Sequence, residues 1–289
     1  MRDLSRDTTL LSLNTATVQK QWDLSEAISG CARHGIGAIA PWRDQLHALG
    51  VAEAVRMIND RGLRVSSLCR GGFFTADNQL NVDDNRRAVD EATALGAECL
   101  VLVVGGLLVG SRNLPEARRI VGDGIAKVLE HARVQGMRLA IEPLHPMYAA
   151  DRGCINTLRD ALDVCDDLGE GIGVAIDTYH VWWDADLEGQ IKRAGQTNRI
   201  LACHVCDWLV PTQDLLTDRG MPGDGIIDLR RIRSMVEAAG YDGCYEIEIF
   251  SSKNWWQRNP DEVLPVSYTH LRAHETRHAL VCRLLLEKK

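Results

Sequence analysis

The feature that most constrains this 289-residue chain is a punctuation mark that recurs seven times: a glycine closing an amphipathic segment, with a short apolar run just beyond it. Glycine enters the left-handed conformation at little cost, so it ends helices efficiently. Gly35 precedes residues 36–40, Gly62 precedes 63–68, Gly96 precedes 99–104 and Gly136 precedes 137–141; Gly169 or Gly171 precedes 172–176, Gly195 leads into 200–203 and Gly240 into 244–249. With 9–13 in front, eight strands are expected. They are almost continuously apolar, as parallel strands buried on both faces must be. The stretches 25–33, 51–60, 83–95, 114–135, 157–168, 187–194 and 228–239 carry helical periodicity, with Asn156 or Thr157 and Asp228 suited to N-caps.

Eight β-α units in one chain of this length is the count of a single-domain (β/α)8 TIM barrel. A doubly wound open sheet is the alternative, but no Gly-x-Gly-x-x-Gly follows the first run, so a dinucleotide crevice has no support. With 45% apolar and 25% charged residues, the chain has ample material for one core. A formal net charge of −7, with no Lys or Arg run longer than a pair, argues against nucleic acid as a partner. No charged and apolar leader stands near Met1 and no apolar stretch reaches the roughly 20 residues of a membrane span, so a cytoplasmic protein without membrane contact is expected. Nine cysteines, an odd number scattered through apolar stretches, fit reduced buried thiols better than a disulfide framework. The Cys203-x-x-Cys206 pair lacks a second pair to complete a structural zinc site.

Residues 266–289 stand apart. The blocks Val266-Ser-Tyr-Thr-His-Leu-Arg-Ala-His-Glu-Thr276 and Leu280-Val-Cys-Arg-Leu-Leu-Leu-Glu-Lys-Lys289 resemble an in-frame translation of a transposase-type sequencing adapter, with Ala279 departing from it. The barrel is therefore expected over 1–265 with a non-native tail over 266–289. An eighth helix is expected near Pro260, with Asp261 and Glu262 in its first turn, and to be truncated or replaced where the tail begins. The alternative is a genuine basic C-terminal helix. Setting the tail aside removes His270, His274 and His278 from any site argument.

In a parallel barrel, chemistry sits where strands end and loops begin. Four consecutive strands end in metal-ligand types: Ile141-Glu142-Pro143, Ile176-Asp177-Thr178-Tyr179-His180, Ala202-Cys203-His204 and Glu246-Ile247-Glu248-Ile249-Phe250. Three carboxylates and one imidazole suit one divalent cation, Mn²⁺ first, with Mg²⁺, Co²⁺ or Zn²⁺ as alternatives. Any one of these carboxylates alone reads equally well as a solvated loop residue, and His204 alone as a satisfied core histidine; four in register outweigh those readings. Glu246 and Glu248 share a face of the strand. Glu248 is nearer the mouth and is taken as the ligand, with Glu246 lower in the barrel or paired with a basic side chain.

The blocks Ile141-Glu-Pro-Leu-His145, Asp177-Thr-Tyr-His180, Cys203-His-Val-Cys-Asp-Trp208, Asp218-Arg-Gly-Met-Pro-Gly-Asp-Gly225 and Glu248-Ile-Phe250 resemble the xylose-isomerase-like TIM-barrel superfamily of sugar phosphate isomerases and epimerases. The resemblance spans residues 9–264 in strand order and is closest to the ketose 3-epimerase and hydroxypyruvate isomerase type. It implies one metal held by Glu142, Asp177, His204 and Glu248, the two glutamates doubling as acid and base on opposite faces of the substrate. It also implies that His180 and Arg219 contact substrate oxygens, although the stretch between His204 and Arg219 is longer than in that type. The expected activity is metal-dependent isomerisation or epimerisation of a ketose or related α-hydroxy carbonyl compound by proton transfer through an enediolate. A hydride shift is a second route, and such barrels often form homo-oligomers.

Further residues are candidates with ordinary structural alternatives. His145 closes the first motif. Trp183, with Trp42, Trp182, Trp208, Trp255 and Trp256, either packs on sugar C–H surfaces or caps the barrel. Arg70, in Cys69-Arg70-Gly71-Gly72, either meets an anionic or hydroxyl group of substrate or serves its loop, and Gly105-Gly106 either admits backbone close to substrate or serves its own loop. A DNA-repair endonuclease of the same barrel type needs three metals and more histidines, whereas strands two and three end in Ala40-Pro41-Trp42 and Leu68-Cys69-Arg70. A non-enzymatic sugar-binding barrel predicts a lost ligand. A dehydratase or lyase acting on a polyol or keto-sugar uses the same groups and is the serious rival.

Overall fold

A computed structural model describes residues 8–76 and 78–267. It forms the expected parallel barrel. The strands are β1 (Leu11–Asn14), β2 (Ala38–Ala40), β3 in two pieces (Arg64–Val65 and Leu68–Gly72), β4 (Leu100–Val103), β5 (Leu139–Ile141), β6 (Ile172–Asp177), β7 (Ile200–Val205) and β8 (Tyr245–Ile247). Every ladder between them is parallel, and β8 pairs with both β1 and β7, so the sheet curls back on itself.

The third strand departs from the expected single run over 63–68. Its first piece pairs with β2 and its second with β4, and the break falls at Ser66 and Ser67. Both serines are buried with their hydroxyls bonded inside the barrel, Ser66 to Ser12 at 2.7 Å and Ser67 to Glu246 at 3.0 Å. Cys69 N–H bonds to Pro41 O at 2.9 Å across the seam, which keeps the barrel closed. The strand then runs on to Gly72, with a register shift between Cys69 and Gly71 that leaves Arg70 as the extra residue of a bulge.

Around the barrel lie α1 (Leu24–His34), α2 (Arg43–Leu49), α3 (Val51–Asp60), α4 (Asn78–Leu95), α5 (Leu114–Gln135), α6 (Leu158–Leu168), the single turn α7 (Thr178–Val181), α8 (Leu187–Gln196) and α9 (Leu229–Ala238). Thr157 and Asp228 are N-caps, accepting from Asp160 N–H and Arg231 N–H. Gly35 and Gly136 close α1 and α5 at φ 67° and 70°. Gly195 does something else. It lies inside α8, Asn198 takes the left-handed conformation in its place, and a Cβ on Gly195 would collide with the Ala239 carbonyl beyond α9. This glycine permits close helix approach rather than helix termination.

Side chains alternate along β4: Leu100 and Leu102 join the large core between sheet and helices, while Val101 packs inside the barrel with Cys69, Cys99, Ala140, Ala175, Leu201 and Ala202. That inner plug of small residues closes the barrel floor. A helical segment starts at Pro260 as expected and is described through residue 267. Asp261 pairs with Arg33 and His34 of α1, each at 2.8 Å, and Val263 and Leu264 are fully buried, each contributing roughly 1.5–3 kcal/mol by burial. Residues 268–289, most of the segment resembling an adapter, lie outside the described residues. The eight described cysteines are free and buried, and among the described residues no helix is long and apolar enough to cross a membrane.

Candidate metal centre

Glu142 follows β5 directly, Asp177 ends β6, His204 is the penultimate residue of β7 and Glu248 follows β8. Parallel register sets Asp177 beside His204 and His204 beside Glu246. All four candidate ligands are buried, and one ligand atom from each lies within 4.8 Å of every other. His204 Nδ1 is 2.9 Å from Glu142 Oε1 and 3.8 Å from Glu248 Oε2.

Those short separations are not hydrogen bonds. Glu142 Oε1 and both ring nitrogens of His204 are buried and make no aligned hydrogen bond to any described residue. Buried ionisable groups brought together without aligned hydrogen bonds carry a large desolvation cost, which a bound cation offsets. Three carboxylates and an imidazole of this geometry suit a divalent metal, with His204 offering Nδ1.

Behind the imidazole, Glu246 Oε2 sits 3.2 Å from His204 Nε2. Glu246 is itself held by Ser67 at 3.0 Å and Asn14 at 3.5 Å. A carboxylate on the far nitrogen of a ligand imidazole orients the ring and raises its basicity. Burial opposes a charge on His204, but Glu246, Glu142 and Glu248 together hold its pKa well above the ordinary value. Burial likewise opposes ionisation of Glu246, yet His204 and the serines bring its pKa below the ordinary range.

Arg219 reaches the cluster from a short antiparallel ribbon, Asp207–Trp208 with Arg219–Gly220, formed by the long segment after β7. Its Nη1 donates to Asp177 Oδ2 and Glu248 Oε2, both at 3.0 Å, and its plane lies over Tyr179 and Phe250. Nε is buried without a partner among the described residues. Burial raises the Glu248 pKa, against His204 and Arg219, which lower it. Burial takes His180 down to about 3, so the ring is neutral. Its Nδ1 accepts the His145 backbone N–H at 3.2 Å, and its Nε2 lies 3.3 Å from Arg219 Nη2 and 3.5 Å from Asp177 Oδ2.

Over this cluster opens a pocket of about 620 Å³. Glu142, Glu248, His180 and Arg219 line its floor, and Arg70, Arg152, Tyr148, Trp42 and Phe250 are among its walls. Asp177 and His204 are absent from its lining and lie behind the glutamates. Tyr148 and Tyr179 hydroxyls both bond to Leu215 O, at 2.5 and 2.9 Å, which ties the 209–218 segment beside the pocket. His145 and Trp183 do not line it. The His145 ring packs against Trp183 and Trp208, and Trp183 Nε1 donates to His180 O at 2.8 Å. Sequence reasoning missed Asn14, Ser67, Tyr148 and Arg152. None stands in a recognisable motif, and only tertiary proximity brings them here. Gly105 and Gly106 admit backbone of the 148–153 loop, not ligand, as the Gly105–Gly153 bridge records.

A family model described as xylose isomerase-like TIM barrel matches residues 28–274. The crystal structure of a protein from Sinorhizobium meliloti is 58% identical and aligns with a TM-score of 0.91 over 92% of this chain and 98% of that one. Inosose isomerase of Bacillus velezensis is 24% identical over 300 residues, covering 96% of this chain and 99% of that protein. 3-Dehydroshikimate dehydratase of Pseudomonas aeruginosa is 26% identical over 248 residues, covering 82% of this chain but only 37% of that longer protein.

Proposed function

The chain belongs to the xylose isomerase-like TIM-barrel family, and from that premise we propose that it is a divalent-metal-dependent isomerase or epimerase of a ketose or related α-hydroxy carbonyl compound. The observation that carries the reading is a division of labour among the four clustered residues. Only Glu142 and Glu248 line the pocket, and β6 and β7 separate the strands that carry them, so they approach a bound substrate from different sides.

Glu142, Asp177, His204 and Glu248 would hold a divalent ion, Mn²⁺ first, which would polarise the substrate carbonyl and compensate negative charge on its oxygens. One glutamate takes the proton from the carbon beside the carbonyl. The other, protonated, returns a proton to the opposite face, giving the epimer, or to the neighbouring carbon, giving the isomer. Burial favours the neutral form of Glu248 while Arg219 and His204 favour the charged one, which suits a group that alternates between them. Arg219 and the neutral His180, which line the pocket, are the groups placed to meet substrate oxygens. His145 and Trp183 act through His180, by holding its ring and its backbone.

The test is deuterium entry from D₂O into a ketose panel by NMR on Mn²⁺-loaded protein. Exchange at the carbon beside the carbonyl, lost in Glu248→Gln and Glu142→Gln, supports the reading; a metal-loaded protein that exchanges nothing sinks it. The relationship to the dehydratase favours a second reading, loss of water from a keto-polyol after the same proton abstraction. That reading predicts an enone absorbance in place of exchanged starting material.

A further inference from the structure

We infer that Arg70 and Arg152 form an anion subsite in the wall of the pocket, taking a carboxylate or phosphate group carried by the substrate. The inference rests on the isomerase reading and specifies its substrate class.

Arg70 is the bulge residue of β3, the one position there that lacks a ladder partner on β4. Bulges of this kind re-aim a side chain, and the pocket is where this one goes. Its guanidinium lies over Trp42 and Phe73, 5.4 and 4.3 Å from the ring centroids. The flat faces are thereby covered by rings, whereas hydrogen-bond donors point outward in the guanidinium plane. Among the described residues Arg70 has no hydrogen bond or ion pair. Asn85 fixes the strand end that follows, accepting from Gly72 N–H at 2.6 Å and donating to Gly72 O at 2.8 Å.

Arg152 comes from the loop after β5. Gly105 N–H bonds to its carbonyl at 2.9 Å, knitting that loop to the end of β4, and its guanidinium lies over Tyr148. The acidic side chain beside it is Asp151, at 3.8 Å and largely exposed, beyond hydrogen-bonding distance. Arg70 thus meets the pocket without an ion pair among the described residues, and Arg152 with only the long one to exposed Asp151. The acidic lining residues are Glu142 and Glu248, both engaged in the cluster on the floor. Two like charges flanking one cavity repel: burial, and then the Arg152 charge, lower the affinity of Arg70 for its proton against Glu142 and Asp44, which raise it. An oxyanion bridging them relieves that repulsion and satisfies their planar donors.

The experiment is isothermal titration of the Mn²⁺-loaded full chain with D-fructose, D-fructose 6-phosphate and D-fructuronate, which carry no charge, a phosphate and a carboxylate. One anionic sugar is expected to bind roughly 10- to 100-fold more tightly than D-fructose, as charge-assisted hydrogen bonds of ordinary strength imply. That ratio should collapse to within about threefold in Arg70→Gln and Arg152→Gln and recover in part in Arg70→Lys, by loss of charge and its restoration without the fork. Mn²⁺ stoichiometry checks the folding of each variant. Which anion holds the advantage distinguishes carboxylate from phosphate. Anionic sugars that bind no better than a D-fructose that does bind overturn the subsite and leave the isomerase reading standing. So does an advantage that survives both Gln variants. Mn²⁺-loaded protein that binds none of the three removes the isomerase reading for these sugars, and the subsite with it.

Discussion

Replacing Glu246 by Gln tests the proposed metal centre without touching a proposed ligand or a residue lining the pocket. The carboxylate is 1% exposed and lies 3.2 Å from His204 Nε2, on the far side of the ring from Glu142 and Glu248. Gln has the same shape and can still accept from Ser67, so the barrel should fold. What is lost is the negative charge that orients the ring and makes it basic. Loss of such an outer partner weakens metal binding by about 10- to 100-fold, or ~1.4–2.7 kcal/mol. A proton competes with the metal for the same ring, because the three glutamates together hold metal-free His204 protonated well above its ordinary pKa. The substitution weakens proton binding too, so its effect should be smaller at pH 6 and larger at pH 9. Mn²⁺ titration followed by electron paramagnetic resonance at both pH values reads this directly. A dissociation constant within twofold of wild type at pH 9 refutes the argument.

The same proton has two further consequences: at pH 7, metal binding should release it, seen as a buffer-dependent heat in calorimetry, and a heat independent of buffer ionisation enthalpy contradicts a protonated His204. Because its folded pKa is raised, that proton also stabilises the metal-free barrel fully below the ordinary histidine pKa and progressively less as pH rises through the raised value, so the Tm of chelated protein should fall at alkaline pH. Gly195→Ala should cost about 1–3 kcal/mol by overpacking α8 against the Ala239 carbonyl, measured by urea unfolding, with Mn²⁺ affinity unchanged. Asn85→Leu strands the buried Gly72 N–H and C=O, at about 1–3 kcal/mol each, and should loosen the Arg70 bulge, visible as a lower Tm together with a reduced preference for anionic sugars.

Much of this was legible in the chain alone. Helix-stopping glycines between apolar runs announced the barrel, and because parallel strands place their C-terminal ends on one rim, reading the last residues of four successive runs was enough to assemble Glu142, Asp177, His204 and Glu248. Asp228 and Thr157 were readable as caps because capping is local. Gly195 misled because a glycine required for close helix approach looks the same in sequence as one required for a left-handed turn. Tertiary structure alone decided the rest. It split the third strand at two serines whose hydroxyls face inward, turned His204 so that Glu246 stands behind it, and brought Arg219 back across the mouth. It also set Arg70 and Arg152, 82 positions apart in the chain, on the walls of one pocket. Each of those depends on where distant strands and loops meet, and periodicity along one segment carries no information about its neighbour across the barrel.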